Sequence, residues 1–292
     1  MTRLSPVISG ALLMVTAGLL FAVVNTLVQY SAMTHGLPAS RIAFWQYLIA
    51  FLTALPWLIR RGRSAMRTGQ LPLHLTRVAC AVIGVQLWTM GLAHVPIWQA
   101  IALIMLSPFF VTLGAGLALG ETISPTRLAA VFIGFAGGMV ILAPWSDSFT
   151  PYALYPIGAA FFWAMTSLLT KKISAVDSSE TLTFYLLLLL TPANAVLALG
   201  DGLAIDLAAS GALLLVMGIL TAIAQYAIAR AYSLADAAFL QPFDHVKLPF
   251  NVALGLIVFG WVPPGALWIG ASSIIGASLY LLQQENRAQQ VA

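Results

Sequence analysis

Charged side chains are scarce in this sequence. Only 8% of its 292 residues are Asp, Glu, Lys or Arg, whereas a typical soluble domain has about 25%. Hydrophobic residues make up 61% of the chain, and the mean hydropathy is +0.95. A surface with so few charges would aggregate in water, so lipid is the expected solvent for most of it. The composition excludes an ordinary soluble globular protein and predicts a bilayer as the surroundings.

Cysteine and the common catalytic motifs are also missing. Cys80 is the only cysteine, so the chain can form neither an internal disulfide nor a cysteine-cluster metal site. The sequence contains no Gly-x-x-x-x-Gly-Lys-Ser/Thr phosphate loop, no His-Glu-x-x-His zinc motif and no Gly-x-Ser-x-Gly nucleophile motif. These absences exclude ATP hydrolysis by that loop and two common classes of hydrolase. We expect a protein that is not an enzyme and needs no cofactor.

Long apolar runs predict membrane-spanning helices. Residues 78–120 and 248–284 contain no Lys, Arg, Asp or Glu, and each run is long enough for two spans of about 20 residues. The complete pattern predicts ten helices, at residues 7–30, 40–59, 75–94, 97–119, 125–143, 151–172, 181–199, 208–230, 237–259 and 265–283. Strands of a membrane barrel would alternate polar and apolar residues, whereas these runs are apolar all round. The predicted fold class is an all-α membrane protein.

Basic residues concentrate on one side of this predicted bundle. If the N-terminus is inside, only Arg41 falls in a predicted outer segment, and Lys247 lies within a span. The predicted inner segments hold Arg3, Arg60, Arg61, Arg63, Arg67, Arg77, Arg127, Lys171, Lys172, Arg230 and Arg287. Because cytoplasmic loops carry an excess of Lys and Arg, both termini are predicted to be cytoplasmic. The net charge of +4 is thus interpreted as a topology signal, and nucleic acid is not a predicted partner.

A weak internal repeat divides the ten spans. The pattern Gly-x-x-Phe at residues 18–21 of the first span recurs 140 residues later, at 158–161 of the sixth. Each half then crosses the membrane five times, and because five is odd, the second half enters from the opposite side. The sequence therefore predicts two inverted five-helix repeats, at residues 1–146 and 147–292. Inverted repeats are typical of secondary transporters that work by alternating access.

The ninth predicted span carries the most polar groups. Asp244 and Lys247 are three residues apart, so they share a helix face and can pair. Gln241 extends that face, and His245, which points to another side of the helix, is a further candidate cavity residue. A charge at membrane depth is unfavourable by about 2.5–3.5 kcal/mol and usually faces a water-filled path. We predict a cavity lining in which Asp244 binds a substrate ammonium and Lys247 a carboxylate; the alternative is an internal ion pair that fixes helix packing.

Other spans carry aromatic and amide side chains at helical spacing. Small-molecule pockets combine aromatic walls with a few polar groups, a composition that suits an amino acid or a similar metabolite. A single Thr often bonds only its own helix carbonyl, so each residue also has a purely structural interpretation. The further candidate cavity residues are Asn25, Gln86, Trp88, Trp163, Thr166, Gln225 and Tyr226.

Two segments carry a family resemblance. Residues 107–121 run from Ser-Pro to Leu-Gly-Glu, and residues 134–138 read Gly-Phe-Ala-Gly-Gly. Together they resemble the drug/metabolite transporter superfamily, in its ten-span EamA-type branch, and within it the YddG-type exporters of aromatic amino acids. The second half departs from the usual pattern, with Gly260-Trp261 where many relatives keep Gly-Glu. The resemblance implies a bacterial inner-membrane exporter without cofactor, with its cavity between spans one to four and six to nine.

The leading functional hypothesis is therefore a secondary transporter that exports aromatic or neutral amino acids, as a monomer or weak dimer in the lipid bilayer. Proton coupling through Asp244 or His245 and facilitated diffusion are both open. The alternatives are an intramembrane enzyme that uses Asp244 and His245, and a lipid-handling or structural membrane protein. The geometry argues against the enzyme hypothesis, because adjacent helix residues such as Asp244 and His245 point about 100° apart.

Spacings such as Gly134-x-x-x-Gly138 and Ser272-x-x-x-Gly276 predict close helix contacts.

Overall fold

The regular structure of this chain is helical, as predicted. The computed structural model describes residues 6–60, 62, 67–119, 125–147, 149–235, 240, 243 and 245–291, and no strand occurs within these ranges. The helices are α1 (Pro6–Met33), α2 (Ala39–Arg60), α3 (Leu71–His94), α4 (Ile97–Ile104), α5 (Ser107–Leu119), α6 (Pro125–Leu142), α7 (Leu154–Ile173), α8 (Ser179–Ala198), α9 (Leu207–Leu234), α10 (Lys247–Phe259) and α11 (Gly265–Val291). Short 3-10 turns precede α7 and follow α8.

These helices supply the ten predicted membrane segments. Among the described residues, seven segments are long and apolar enough to cross a bilayer. They correspond to α1, α2, α3, α4 with the start of α5, α7, α8 and α9. Shorter apolar helices lie within α6, α10 and α11. The chain is an all-α membrane protein, and its helices lie where the apolar runs placed them.

The fourth predicted span is broken, which the prediction of one helix over residues 97–119 missed. Helix α4 ends at Ile104, and α5 begins at Ser107. The reason is Pro108, which has no N–H to donate and whose ring crowds the carbonyl four residues earlier, that of Ile104. The break places Ser107 at the centre of the bundle. In the ninth predicted span, 237–259, the described helix begins at Lys247.

The helix contacts are symmetric with respect to the two predicted halves. Helix α1 packs along α9, and α7 packs along α3. The other extensive contacts join α2 to α8, α2 to α9 and α6 to α11. Exchanging the first five spans with the last five turns the α1–α9 contact into the α7–α3 contact and leaves the α2–α8 and α6–α11 contacts unchanged. It turns the α2–α9 contact into the α3–α8 contact, which is also present but less extensive. Two related halves would produce this pattern, while the division at residue 146 stays a prediction.

Glycines allow the fifth and tenth spans to approach with their backbones. A Cβ placed on Gly270 of α11 would lie 2.5 Å from the Gly137 carbonyl oxygen of α6. A Cβ on Gly137 would lie 2.7 Å from the Gly270 carbonyl oxygen. The predicted contact through Gly276 is wrong, because a Cβ there would meet nothing within 4 Å. Since helix α11 turns Gly270 and not Gly276 toward α6, only the former is sterically constrained.

Contacts between connecting segments define the two ends of the bundle. At the end named here the Asp177 end, the Asp177 carboxylate lies 2.8 Å from His74 Nε2 and accepts a hydrogen bond from the Thr68 hydroxyl at 2.5 Å. At the opposite Asp201 end, Arg41 Nε donates to the Gly202 carbonyl at 2.8 Å. Segments predicted to share a side of the membrane therefore meet in space.

Candidate functional site

A cavity of about 170 Å³ lies within the helix bundle. Its walls come from α1, α2, α3, α4, α5, α7, α8, α9 and α10, whereas the described residues of α6 and α11 contribute none. This matches the arrangement that the family resemblance implied, with spans five and ten at the side. At about 30 Å³ per molecule of liquid water, this volume corresponds to roughly six water molecules.

The fold brings six of the predicted residues to this cavity from five helices. Helices α1 and α3 contribute one each from the first half, and α7, α9 and α10 contribute the others. They are Asn25, Trp88, Trp163, Thr166, Gln225 and Lys247. Their position is consistent with a binding role, which stays a prediction for each of them.

Two predicted residues lie outside the cavity lining. Gln86 Nε2 donates to Asn194 Oδ1 at 2.8 Å and so ties α3 to α8. The Tyr226 ring packs edge-on against Trp57 with the ring centroids 4.7 Å apart. Helix geometry explains both cases, because neighbouring positions point about 100° apart. Trp88 therefore faces the cavity while Gln86, two residues earlier, faces a neighbouring helix.

The remaining predicted residues belong to the segment before α10. His245 is buried, with 6% of its surface exposed, but it does not line the cavity. Gln241 and Asp244 lie outside the described residues. The predicted pairing of Asp244 with Lys247 and the predicted substrate contact of Asp244 therefore stay predictions. Lys247, the first residue of α10, is the described member of this polar stripe that reaches the cavity.

Two tryptophans form an aromatic wall. The rings of Trp88 and Trp163 have centroids 5.4 Å apart and an angle of 47° between their planes. Gly84 makes room for them, since a Cβ there would lie 2.6 Å from Trp163 Cδ1. Phe21 of α1 lines the same cavity. This Trp pair offers a planar ligand two faces at an angle, an arrangement that favours aromatic ring systems.

A chain of hydrogen bonds holds the Trp pair in place. Trp88 Nε1 donates to Asn25 Oδ1 at 3.1 Å, and Asn25 Nδ2 donates to Asn251 Oδ1 at 3.3 Å. Asn251 Nδ2 in turn donates to the Lys247 carbonyl at 2.7 Å. This chain links α3, α1 and α10 and fixes the orientation of the Trp88 ring. Buried polar groups with satisfied partners favour one packing arrangement over others.

Asn25 and Asn251 are expected to be energetically coupled. Asn25→Ala leaves buried partners unpaired, so we expect the free energy of unfolding to fall by about 1–3 kcal/mol. The Asn25→Ala/Asn251→Ala double variant should lose less than the sum of the single variants, by at least about 0.5 kcal/mol. Denaturant unfolding of the purified protein in detergent measures both quantities. Gln46, which donates to Thr221 elsewhere in the bundle, is the control: Gln46→Ala should combine additively with Asn25→Ala. Additive losses for the Asn25–Asn251 pair would contradict the coupling.

The cavity is sealed toward the Asp201 end. Leu92, Val95 and Ile97 at the turn between α3 and α4 are fully buried, each with 0% exposure. Gln29 Nε2 donates to the Leu92 carbonyl at 2.9 Å and to the Val95 carbonyl at 2.7 Å, which ties α1 to this turn. A ligand in the cavity therefore has no route through this end without movement of the helices.

Arg77 lines the cavity toward the Asp177 end. The candidate cavity residues predicted from the sequence did not include it. It was interpreted as a topology charge, yet only 1% of its surface is exposed. Its Nη2 donates to the Leu182 carbonyl at 2.6 Å, and its Nη1 donates to Thr170 Oγ1 at 3.4 Å. Helical spacing is the signal that could have found it. Arg77 is eleven residues, or about three turns, before Trp88 and so shares its face.

The cavity lining is polar at several points. Arg77 and Lys247 are the charged side chains among its described lining residues. Tyr47 and Tyr232 add aromatic surface that the sequence did not single out. Within the described ranges, no three His, Cys, Asp or Glu side chains come together as metal ligands. The arrangement suits an organic ligand with a planar ring and several hydrogen-bond acceptors.

Comparison with known proteins identifies relatives along the whole chain. The pattern of the EamA-like transporter family matches residues 8–143. The chain is 51% identical to a riboflavin transporter of Vibrio cholerae, over 96% of this chain and 95% of that protein. It is 50% identical to a riboflavin transporter of Rhizobium johnstonii, over 98% and 94%. An S-adenosylmethionine uptake transporter of Rickettsia felis is 27% identical, over 85% and 84%.

The fold is also found among solved structures. One described as "Crystal structure of protein" aligns with a TM-score of 0.69 at 20% identity, and the alignment covers 96% of this chain and 98% of that one. At this level of identity, the likeness concerns the fold alone.

Proposed function

The chain belongs to the EamA-like transporter family of the drug/metabolite transporter superfamily, and we propose that it carries riboflavin across a bacterial inner membrane. Family membership follows from about 50% identity to curated relatives over nearly their whole length. The protein is thus a multi-pass membrane protein of a family that transports small molecules. In this proposal, riboflavin replaces the amino-acid substrate predicted from the sequence.

The observation that carries the proposal is the Trp pair facing a cavity with a polar rim. Riboflavin consists of a flat three-ring system with carbonyl groups along one edge and a polyol chain on the central ring. The Trp pair supplies aromatic faces for the ring system. Hydrogen-bonding groups for the polyol and the carbonyls are contributed by Thr166, Ser167, Gln225 and Arg77.

Transport in this proposal proceeds by alternating access of the two predicted halves. The cavity is sealed at the Asp201 end and approaches the Asp177 end, which the basic residues predict to be cytoplasmic. Rocking of one half against the other would open the Asp201 end, as in other transporters with inverted repeats. Two modes of transport stay open: proton coupling through Asp244 or His245, and facilitated diffusion. Transport measured with and without a pH gradient across the membrane distinguishes them.

Reconstitution tests the proposal. We expect liposomes containing the protein to take up radiolabelled riboflavin with saturation, whereas protein-free liposomes do not. Unlabelled riboflavin should compete, while phenylalanine, tryptophan and S-adenosylmethionine should not. Chromatography of the recovered substrate separates transport from the alternative of an intramembrane enzyme, because a transporter returns riboflavin unchanged. Uptake of an amino acid without uptake of riboflavin would overturn the proposal and restore the original substrate class.

A further inference from the structure

Arg77 keeps hydrogen-bonding capacity that the protein does not use. A guanidinium group has five N–H donors. In the described structure, one bond goes to the Leu182 carbonyl at 2.6 Å and a long one to Thr170 Oγ1 at 3.4 Å. Arg77 Nε is buried and has no acceptor among the described residues. The side chain is nevertheless part of the cavity wall. Because only 1% of its surface is exposed, a ligand reaches these donors when the guanidinium turns toward the cavity.

The charge of Arg77 is not locked into a close ion pair. Asp177 lies in the segment between α7 and α8 at this end of the bundle. The Asp177 carboxylate itself is held by His74 at 2.8 Å and by the Thr68 hydroxyl at 2.5 Å. No carboxylate of the described residues lies within 4.0 Å of the Arg77 guanidinium. Buried donors without acceptors are unfavourable and rare in native proteins. The contents of the cavity are therefore the expected source of the missing acceptors.

The distance from Arg77 to the Trp pair fits one elongated ligand. Thr170, which accepts the long bond from Arg77, is seven residues beyond Trp163 on α7. At 1.5 Å per residue, this separation is about 10 Å along the helix axis. The aromatic wall and the free guanidinium donors therefore lie at two ends of the same cavity. A three-ring system stacked on the Trp pair would extend toward Arg77.

We propose that Arg77 binds the planar acceptor edge of the substrate and thereby sets its orientation and specificity. The proposal rests on the proposed function: in riboflavin, this edge is formed by the C2 carbonyl oxygen and the adjacent ring nitrogen N1, which are neighbouring acceptors in one plane. A guanidinium group presents parallel donors in one plane, which match paired acceptors that are coplanar. Hydroxyl groups of a flexible polyol do not form such a pair.

The test is Arg77→Lys, which keeps the positive charge and removes the planar fork and Nε. Binding is measured with the purified full-length protein in lipid nanodiscs, by quenching of flavin fluorescence. We expect the Kd for riboflavin to rise by about 10- to 100-fold, as for the loss of a charge-assisted hydrogen bond. Lumiflavin has the same ring system with a methyl group in place of the polyol, and its Kd should rise by a similar factor.

The matched control is Arg230→Lys on α9, because Arg230 is exposed and lies outside the cavity lining. Its riboflavin Kd should stay within about twofold of the wild type. Thermal unfolding of ligand-free protein shows whether Arg77→Lys is folded. If it is not, 2-thioriboflavin replaces the variant: its sulfur is a poorer acceptor, so it should bind the wild type more weakly than riboflavin does.

Each contrary outcome has a distinct meaning. A folded Arg77→Lys variant that binds riboflavin as the wild type does would overturn the inference and leave the proposed function intact. Equal binding of 2-thioriboflavin and riboflavin by the wild type would do the same. A loss for riboflavin that spares lumiflavin would overturn the assignment to the ring edge. If the wild type binds no riboflavin at all, the proposed function fails, and this inference fails with it.

Discussion

Trp163→Ala is expected to lower riboflavin transport at limiting substrate by at least about tenfold, because stacking of a heteroaromatic ring on an aromatic side chain contributes about 1–3 kcal/mol. The variant removes one aromatic face of the Trp pair. It leaves empty the position of the Trp163 ring, whose centroid lies 5.4 Å from that of Trp88. Initial rates of labelled riboflavin uptake into proteoliposomes measure the effect. The loss should appear mainly as a higher KM, since stacking binds the substrate in its ground state.

Two further variants make this prediction specific. Trp163→Phe keeps an aromatic face and should retain more transport than Trp163→Ala. Trp268→Ala is the matched control, since Trp268 is 48% exposed on α11 and does not line the cavity. Its riboflavin uptake should equal that of the wild type. If Trp163→Ala transports riboflavin at the wild-type rate and KM, the Trp pair is not part of the binding site.

Gly270→Val is expected to destabilise the protein by at least about 3 kcal/mol, at the upper end of the usual effect of overpacking. The new Cβ would lie 2.5 Å from the Gly137 carbonyl oxygen and 2.5 Å from Ile141 Cγ1. A backbone oxygen cannot rotate away as a side chain can, so α6 and α11 must separate along their contact. The midpoint of thermal unfolding in detergent, with the yield of folded protein, measures the loss.

The same helix offers the control. Gly276→Val makes the same chemical change six residues further along α11, where a Cβ would meet nothing within 4 Å. The midpoint of unfolding of this variant should stay close to that of the wild type. Equal destabilisation by both substitutions would show that the effect comes from the valine side chain in a helix, and not from the approach of α6 to α11.

The substrate class was the part of the sequence-based hypothesis that changed most. Aromatic and amide residues at helical spacing indicated an organic ligand, and Trp88 and Trp163 indeed lie in the cavity. The size and charge of the site depend on side chains that the sequence did not single out, among them Arg77 and Tyr232. These side chains come from helices far apart in the chain, so spacing within one helix could not reveal the dimensions of the site.

The polar ninth span shows how far a local pattern reaches. The prediction that this span faces a cavity agrees with the position of Lys247 at the start of α10. The neighbouring His245, also a predicted cavity residue, is buried but does not line the cavity. Roles for Asp244 and Gln241 stay predictions. A charge at membrane depth indicated a functional region, but it did not indicate which other helices would meet it there.

The sequence by itself determined that this chain is a bundle of apolar helices, because the need to bury about 20 apolar residues per span in lipid acts on each segment separately. The helix break after Ile104 also has a cause in the local sequence, because Pro108 disrupts the helix in which it lies. Helical spacing places Arg77 and Trp88 on one face of α3, but the packing of the helices was needed to show that this face lines the cavity while Gln86 binds Asn194. Which face of a helix meets water and which meets a neighbour is set by packing between distant segments, and hydropathy along the chain carries no information about that packing.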